Sequence, residues 1–520
     1  MTVGEGTFTI HPGIEIGYAD ESLKGMGELL SNEIEKLSGI KLASASDKES
    51  NCIIFLELTD PKEFADLPKA YGLSPKDSVP VDESYSLSIQ KRNIYIKATT
   101  LEGIYRGITT LKQIVGGNLQ PGGEKIYLPL LEVKDAPRFA WRGLSFDVSR
   151  CFFDPEEVKQ VIDMVALYKM NVLHMHLSDN QGWRIEIKKY PDLARKGSVR
   201  KETLVGNLRT STEYDGIPYG GYYTQKQIRE IVRYAAERHI EVIPEIEMPG
   251  HGLGALTAYP WLGCRGENYE VWTRWGISKD VFCAGKDSTF EFLQDVLAEV
   301  IELFPSKYIH IGGDECPKAR WKECPLCQRR MKENGLKNEE ELQSYFMQRI
   351  EKWLNGHGRN IIGWDEILQG GISKTATVMS WRGSKGGIAA AKAGNTVIMA
   401  PNTHCYLDYR QTQQQEFEPL GQVKYLPMRQ VYALDPYEQL TPDERKYILG
   451  VQGNLWTEYI PDFRQVKHML LPRLAAIAET GWAYDRKDFE DFSRRMRQFR
   501  KVYDRAGYNY ATYFFDGKDE

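Results

Sequence analysis

Long apolar runs, a marked excess of one charge and a leader peptide are all missing from this chain. No apolar run reaches the roughly 18 residues that a membrane-spanning helix requires. Lys and Arg number 67 and Asp and Glu 72, which leaves a net charge of −5 and no basic stripe to favour nucleic acid or an anionic membrane. The first residues lack the basic and then apolar pattern of a signal peptide. Because a leader can be removed beforehand, the expectation is export to a bacterial periplasm or cell surface.

Cysteine is scarce as well, with eight residues among 520, too few for a disulfide scaffold. Cys264 and Cys283 flank a polar, aromatic loop that one disulfide could close. Cys324 and Cys327 have the CxxC spacing of half a zinc site, with Cys316 nearby, but no fourth ligand is evident. We therefore favour free thiols or a local disulfide over a zinc site, and predict no cofactor. Whether Cys264 and Cys283 are bridged, and whether Cys316, Cys324 and Cys327 bind metal, stays open.

The composition is that of a globular protein with more than one domain. Hydrophobic residues make up 42% and charged residues 27%, a balance that excludes a mainly disordered chain. A chain of this length is expected to form two or three domains. The 29 Tyr and 11 Trp combine apolar faces with polar edges, which suits sugars as well as protein interfaces.

Residues 1–136 predict a small α+β domain. Alternating segments at 52–58, 85–89 and 93–98 are typical of strands, and a helical pattern follows at 100–115. Clusters of glycine and proline then end this region.

The pattern changes at residue 139, from which short apolar strands alternate with amphipathic helical stretches. Eight strands are predicted, at 143–148, 172–177, 241–246, 308–311, 361–364, 378–381, 396–399 and 450–455. Eight such units favour a (β/α)₈ TIM barrel; a doubly wound sheet usually has fewer strands and a Gly-rich phosphate loop, and none is apparent. We predict an α+β domain at 1–136, the barrel at 137–485 and a C-terminal helical segment packed on it at 486–520.

The segment from Tyr308 to Cys316 ends an apolar strand with two glycines and two adjacent carboxylates, Asp314 and Glu315. Carboxylates at such an edge are usually paired or used. Neighbouring side chains of an extended strand point to opposite faces, so both acids can enter one site only if the glycines bend the chain. The alternative is a pair of acids that caps the next helix.

A TIM barrel has its active site at the carboxyl ends of its strands. The polar and aromatic residues predicted there are Asp147, Arg150, Asp179, Asn180, Glu245, Glu247, His251, Asp314, Glu315, Trp364, Asp365, Glu366, Trp381, Tyr406, Asp408, Trp456 and Glu458. Such a rim suits a neutral, polyhydroxylated ligand, because carboxylates accept bonds from hydroxyls and indoles cover the apolar face of a pyranose.

Several motifs in this order resemble glycoside hydrolase family 20, the β-N-acetylhexosaminidases, over nearly the whole chain. They are Trp141-Arg-Gly-Leu, Val172-Leu-His-Met-His-Leu-Ser-Asp-Asn-Gln, Pro244-Glu-Ile-Glu-Met-Pro-Gly-His, His310-Ile-Gly-Gly-Asp-Glu, Trp364-Asp-Glu, Tyr406-Leu-Asp and Leu455-Trp-Thr-Glu. The resemblance implies an exo-acting, retaining hydrolase that removes terminal β-linked GlcNAc or GalNAc. It also implies substrate-assisted catalysis, in which the 2-acetamido oxygen attacks the anomeric carbon and forms an oxazolinium-type intermediate.

By the same resemblance, Glu315 is the general acid and Asp314 orients the acetamido group. The remaining implied roles cover substrate binding and support of the site. Tyr406 binds the acetamido oxygen, Trp364, Trp381 and Trp456 form the walls, Arg142, Asp408 and Glu458 bind hydroxyls, and Asp179 and His251 hold Arg142 and the catalytic pair in place.

Three other functions stay open. A lacto-N-biosidase-like variant of the family would release a disaccharide, and a sugar-binding protein on the same fold would have no activity. His174 and His176 also have the His-x-His spacing of a metal-dependent amidohydrolase, although later strand ends lack the further histidines of that class. The expected partner is an N-acetylated glycan, without nucleic acid or a membrane span; the aglycone and a homodimer stay open.

Overall fold

The computed structural model describes residues 2–44, 53–68, 70, 81–119, 125–414, 416 and 418–519. The N-terminal part is a seven-stranded mixed sheet with two helices packed on it. Its elements are β1 (Thr2–Ile10), β2 (Glu15–Tyr18), α1 (Lys24–Ser38), β3 (Ala43–Ser44), β4 (Ile53–Leu58), β5 (Tyr85–Ile89), β6 (Ile94–Ala98), α2 (Leu101–Asn118) and β7 (Ile126–Asp135). The strand order is β1-β7-β5-β6-β4-β2-β3. This is the α+β architecture expected from the sequence.

Two glycines let α2 lie close against this sheet. The side chain of Thr100 caps the helix by accepting a hydrogen bond from the Gly103 amide. A Cβ atom on Gly103 would lie 2.4 Å from the carbonyl oxygen of Ser84, and one on Gly107 would lie 2.5 Å from Cγ2 of Ile96. A larger residue at either position would push the helix off the sheet.

A closed barrel of eight parallel strands follows, which confirms the predicted TIM barrel. The strands are β8 (Trp141–Asp147), β9 (Val172–His176), β10 (Glu241–Met248), β11 (Tyr308–Gly312), β12 (Asn360–Trp364), β13 (Thr377–Ser380), β14 (Val397–Met399) and β15 (Ile448–Leu455). Each overlaps one of the eight predicted segments.

Helices surround the barrel and connect its strands. They are α3 (Pro155–Leu167), α4 (Asp192–Arg195), α5 (Gln225–Ala236), α6 (Leu253–Ala258), α7 (Asp287–Leu303), α8 (Ala319–Glu323), α9 (Pro325–Glu333), α10 (Glu339–Gly356), α11 (Lys385–Lys392), α12 (Met428–Tyr432), α13 (Phe463–Leu470), α14 (Leu474–Ala483) and α15 (Phe489–Ala506). The last helix packs on the barrel, where Phe492 meets Tyr432 with ring centroids 4.7 Å apart, and also on α2, where Val502 faces Gly116. Among the described residues, every helix is too short or too polar to cross a membrane.

Candidate active site

Asp314 and Glu315 follow β11 directly, at the carboxyl end of the barrel. Gly312 and Gly313 have φ angles of +66° and +98°, a region that side chains rarely adopt. A Cβ atom on Gly312 would lie 1.9 Å from Oε2 of Glu247, so only glycine fits there. The chain bends at this point, as the prediction that both acids enter one site requires.

The same turn rules out the alternative that these acids cap a helix. The next helix, α8, begins at Ala319, four residues after Glu315, and Lys318 occupies its N-cap position. Glu315 itself has a φ of +43°. Non-glycine residues held in this region cluster at functional sites, because the surrounding structure must maintain the strain.

His251 joins the two carboxylates to a third acid behind them. Its Nε2 atom lies 3.6 Å from Oδ2 of Asp314 and 3.5 Å from Oε2 of Glu315, and its Nδ1 atom lies 3.1 Å from Oδ1 of Asp179. Burial lowers the pKa of His251, but the charges of Asp179 and Asp314 outweigh burial and raise it well above its ordinary value. The imidazole of His251 therefore faces both carboxylates, and its raised pKa favours the protonated form.

Burial raises the pKa of Asp314, and Glu315 raises it further, whereas the positive charge of His251 acts in the opposite direction. The two neighbouring acids also differ in exposure, since the side chain of Asp314 is 15% exposed and that of Glu315 is 34% exposed. Two adjacent carboxylates in different environments can take different roles in acid–base chemistry.

The prediction that Arg142 binds substrate is wrong. Arg142 is the second residue of β8 and so lies at the amino end of the barrel, opposite the active site. It is fully buried there and donates to Oε2 of Glu83 at 2.5 Å and to the carbonyl oxygens of Phe139 and Lys169. Glu83 also accepts from Arg106 at 2.6 Å, and Arg142 thereby links the N-terminal domain to the barrel.

Arg150 provides the guanidinium group of the site instead. It lies just beyond the carboxyl end of β8, where Nη1 is 3.1 Å from Asp147 and Nη2 is 2.8 Å from Asp179. Its Cζ atom lies 5.1 Å from the ring centroid of Trp456. Because Asp179 pairs with both Arg150 and His251, it connects one cation of the cavity to Asp314 and Glu315. The resemblance implied this supporting role for Asp179, with Arg142 as its partner.

A cavity of about 280 Å³ brings most of the predicted site residues together. Its lining comprises Arg150, Arg209, Asp314, Glu315, Trp364, Trp381, Tyr406, Asp408, Tyr409, Gln422, Val423, Lys424, Trp456 and Glu458. Arg209, Tyr409, Gln422, Val423 and Lys424 were not predicted to take part. Arg209 lies in a loop, whereas the other four belong to a short two-stranded sheet formed by Tyr409–Arg410 and Gln422–Tyr425. No periodic pattern in the sequence shows which of these residues turn towards the mouth of the barrel.

Aromatic side chains form one wall of this cavity. The rings of Trp381 and Tyr406 are stacked, with centroids 6.1 Å apart and an angle of 14° between planes. Trp456 lies 5.7 Å from Trp364 and 6.2 Å from Tyr406. The indole N–H of Trp381 donates to Glu366 at 2.8 Å. These fixed rings enclose a small apolar compartment next to Asp314.

Buried acids line the side of the cavity near Asp408 and Glu458. Burial raises the pKa of Asp408 well above its ordinary value, and the charge of Glu458 adds to this effect. Burial also raises the pKa of Glu458, against the opposing charge of Arg150. Within the described part of the chain, Oδ1 of Asp408 has no hydrogen-bond partner. A buried acceptor of this kind usually binds a partner, and a ligand hydroxyl would supply one.

Below the cavity, Glu245 lies at the centre of a polar network. The sequence predicted Glu245 at the carboxyl end of a barrel strand but did not predict this network. In the parallel register of the barrel, Glu245 on β10 lies level with His176 on β9 and His310 on β11. It accepts hydrogen bonds from Trp364 at 2.8 Å and contacts His174, His176 and His310 at 3.0, 2.5 and 2.9 Å. The network holds the Trp364 ring in place.

This network also accounts for the His-x-His pair. His176 contacts Glu245 through Nδ1 and Asp179 through Nε2, at 2.5 and 3.0 Å. Both of its ring nitrogens are therefore engaged with carboxylates. His174 stacks on His310, with ring centroids 4.6 Å apart. The pair supports the active site from below, which disfavours the amidohydrolase hypothesis.

Glu366 is expected to make the stability of the protein depend on pH. Burial and the charge of Asp314 raise the pKa of Glu366 to about 8, above the ordinary value of about 4.3. The folded protein therefore holds this proton more tightly than the unfolded chain, and the stability it contributes is lost as the pH rises towards about 8. In Glu366→Gln, which can still accept from Trp381, the free energy of unfolding should fall less between about pH 5 and about pH 8.

Denaturant unfolding across that pH range measures the effect. The matched control is Glu323→Gln, at a side chain that is 76% exposed, which should keep the pH dependence of the parent protein. Equal slopes for Glu366→Gln and the parent protein would contradict the prediction.

Comparison with known proteins agrees with this geometry. The family model "Glycosyl hydrolase family 20, catalytic domain" matches residues 139–485, and "Glycosyl hydrolase family 20, domain 2" matches residues 1–136. A beta-hexosaminidase of Porphyromonas gingivalis is 42% identical over 98% of this chain and 63% of its own length. A beta-hexosaminidase of Vibrio furnissii is 37% identical, over 76% and 65% respectively. The chain thus spans less than two thirds of these two relatives.

A solved structure covers nearly the whole chain. The GH20 beta-N-acetylhexosaminidase from Streptomyces coelicolor A3(2) superposes with a TM-score of 0.81 at 31% identity, over 98% of this chain and 95% of that one.

Proposed function

The chain belongs to glycosyl hydrolase family 20, and from that premise we propose that it is an exo-acting, retaining β-N-acetylhexosaminidase. Its substrate would be a glycan that ends in β-linked GlcNAc or GalNAc. The single observation that carries the proposal is that Asp314, Glu315 and the aromatic compartment of Trp364, Trp381 and Trp456 line one cavity.

The aromatic compartment supports substrate-assisted catalysis. An acetamido group has an apolar methyl group, which fits against indole rings, and polar N–H and C=O groups. Asp314 would accept from the N–H group and Tyr406 would donate to the carbonyl oxygen, which directs that oxygen to the anomeric carbon. The bond from oxygen to C1 then forms as the glycosidic bond breaks, without a nucleophile from the protein, an exception to the usual scheme of two carboxylates.

Glu315 would carry the proton through both steps. It donates to the glycosidic oxygen as the aglycone leaves, and the ionised Glu315 then removes a proton from the water that opens the oxazolinium ring. Asp314 would be ionised at this stage, since the positive charge of His251 opposes the burial that raises its pKa, and its carboxylate would balance the positive charge of the ring. His251 lies within 3.6 Å of both acids and would position them without touching the substrate.

The size of the cavity favours release of one sugar at a time. Its volume of about 280 Å³ lies just below the roughly 300–1,000 Å³ of sites for drug-sized ligands. One pyranose suits this space better than the disaccharide that a lacto-N-biosidase-like enzyme would accommodate. Arg150, Asp408 and Glu458 would bind the ring hydroxyls of the terminal sugar.

Release of nitrophenol from three aryl glycosides tests the proposal. We expect rapid cleavage of the β-N-acetylglucosaminide, the β-N-acetylgalactosaminide or both, and no comparable cleavage of the β-glucoside, which lacks the acetamido group. Equal cleavage of the glucoside would contradict substrate assistance. If none is cleaved while N-acetylglucosamine still binds, the sugar-binding alternative gains support.

Two arginines provide a matched test of where the substrate binds. Lysine keeps the charge of arginine but loses its planar fork of donors. Arg150→Lys should lower kcat/KM roughly 10- to 100-fold through lost charge-assisted hydrogen bonds to hydroxyls. Arg142→Lys should leave kcat/KM unchanged and lower the free energy of unfolding by about 1–3 kcal/mol, since buried acceptors lose their partners. Kinetics and denaturant unfolding of both variants distinguish the sites, and the reverse pattern would restore Arg142 to substrate binding.

A further inference from the structure

Four cysteines from two separate segments meet beside the active site. Cys264 and Cys283 lie between α6 and α7, whereas Cys324 and Cys327 lie at the start of α9. The Sγ atom of Cys327 is 3.9 Å from that of Cys264 and 3.7 Å from that of Cys283, and the Sγ atoms of Cys283 and Cys324 are 3.8 Å apart. All four Sγ atoms lie within 4.8 Å of one another.

These separations match the edges of a tetrahedron around a zinc ion. Zinc bound by four thiolates has Zn–S distances of about 2.3 Å, which places neighbouring sulfur atoms roughly 3.8 Å apart. Two disulfides would instead bring the sulfur atoms of each pair to about 2.05 Å. All seven cysteines that the structure describes are free thiols. We propose that Cys264, Cys283, Cys324 and Cys327 form a structural zinc site.

The four thiols lie in a closely packed, largely dry environment. Cys283 and Cys327 are fully buried and Cys324 is 6% exposed. Gly285 lets the two segments approach, because a Cβ atom there would lie 2.5 Å from the amide nitrogen of Cys327. The indole N–H of Trp321 donates to the carbonyl oxygen of Phe282 at 2.9 Å, which fixes one segment against the other. Such packing sets the thiol positions before any ion binds.

Cations stand where a thiolate cluster would need them. Binding of one Zn²⁺ by four thiols releases four protons and leaves a centre of charge −2. Lys286 donates to the carbonyl oxygen of Gly263 at 2.8 Å, next to Cys264, and Arg330 donates to that of Gly285 at 3.2 Å, close to Cys283. Lys286 can offset part of the negative charge of the cluster, whereas Arg330 is already paired with Asp287 at 2.8 Å. Soft thiolate ligands favour zinc over magnesium or calcium.

The cysteine motif in the sequence was only partly informative. The CxxC pair at Cys324 and Cys327 does belong to the group, but Cys316 does not. Cys264 and Cys283, for which the sequence allowed a mutual disulfide, supply the other two ligands instead. The missing ligand was not evident because the two halves are 41 residues apart at their closest, from Cys283 to Cys324.

Zinc at this position would clamp the two segments that carry catalytic groups. The segment with Cys264 and Cys283 begins just after His251, and the segment with Cys324 and Cys327 follows Glu315. The two segments are already in contact where they begin, since a Cβ atom on Gly250, next to His251, would lie 3.1 Å from the carbonyl oxygen of Asp314. We expect the ion to hold His251 in register with the Asp314–Glu315 pair and to stabilise the fold.

Metal content of the whole chain, purified under reducing conditions without chelator, tests this inference independently of activity. We expect about one zinc per chain and a thiolate-to-metal charge-transfer band after exchange with Co²⁺. Cys283→Ser should lose both signals. If that variant does not fold, Cys264→Ser at the half-buried ligand takes its place.

Two control variants distinguish the four-cysteine site from other thiols. Cys316→Ala and Cys405→Ala should both retain the zinc and the Co²⁺ band, because neither residue belongs to the group. The proposal is overturned if the parent protein holds no more zinc than Cys283→Ser and takes up no Co²⁺. It is also overturned if mapping of alkylated peptides finds the four cysteines joined in two disulfides, or if Cys316→Ala abolishes binding.

Discussion

Glu315→Gln is expected to lower turnover of N-acetylglucosaminides by roughly 10²–10⁴, the range for a lost general acid. Glutamine has the size and shape of glutamate, so it should fit the strained turn at φ +43° and leave the melting temperature near that of the parent protein. It cannot donate a carboxylic proton to the departing oxygen. The loss should therefore appear in the chemical step rather than in binding of the sugar.

The leaving group reveals whether the missing proton is the cause. A dinitrophenyl aglycone departs without protonation, so kcat/KM, which reports the steps up to its release, should be close to that of the parent protein. With an N,N′-diacetylchitobiose substrate, whose leaving alkoxide needs a proton, the full loss should remain. An equal loss on both substrates would contradict the assignment of Glu315 as general acid.

The sequence was most informative where local pattern and barrel geometry coincide. An apolar strand, two glycines and two acids at 308–316 form a continuous signal, and the carboxyl ends of parallel barrel strands converge on one site. Trp364 ends β12, Trp456 directly follows β15, and Tyr406 lies in the loop after β14, so the same rule places all three at the carboxyl end of the barrel.

Arg142 is the residue for which this geometric rule and the family motif disagree. The predicted strand began at residue 143, so Arg142 lay at its amino end, where the barrel offers no active site. Arg150, at the other end of the same strand, satisfied the geometric rule. The position of an arginine along the strand is therefore a better guide to its role here than its place in a family motif.

Other features depend on contacts that no local pattern encodes. The side of the cavity formed by Arg209 and Lys424 comes from loops whose course is set by tertiary packing. The four-cysteine group joins segments that meet only because β10 and β11 are neighbours in the barrel. The raised pKa of Glu366 likewise arises from its burial beside Asp314, which the adjacency of Trp364, Asp365 and Glu366 does not reveal.

Asp314→Asn is expected to lower kcat/KM for N-acetylated substrates roughly 10²- to 10³-fold, the usual cost of one preorganised electrostatic contact to a transition state. The amide keeps the volume of the carboxylate but loses its charge and can present an N–H group to the acetamido N–H. The attacking oxygen would then be poorly oriented, and the oxazolinium ring would lose its counter-charge.

A stable thiazoline analogue of the cyclised intermediate isolates this effect from general damage to the site. Because it resembles the charged ring, its affinity should fall far more in Asp314→Asn than the affinity of the product N-acetylglucosamine, which binds mainly through its hydroxyls and the aromatic walls. Calorimetric titration of both ligands gives the two ratios, and the melting temperature checks the fold. Equal losses for both ligands would mean that Asp314 only shapes the cavity, and unchanged activity would show that the acetamido group does not supply the nucleophile.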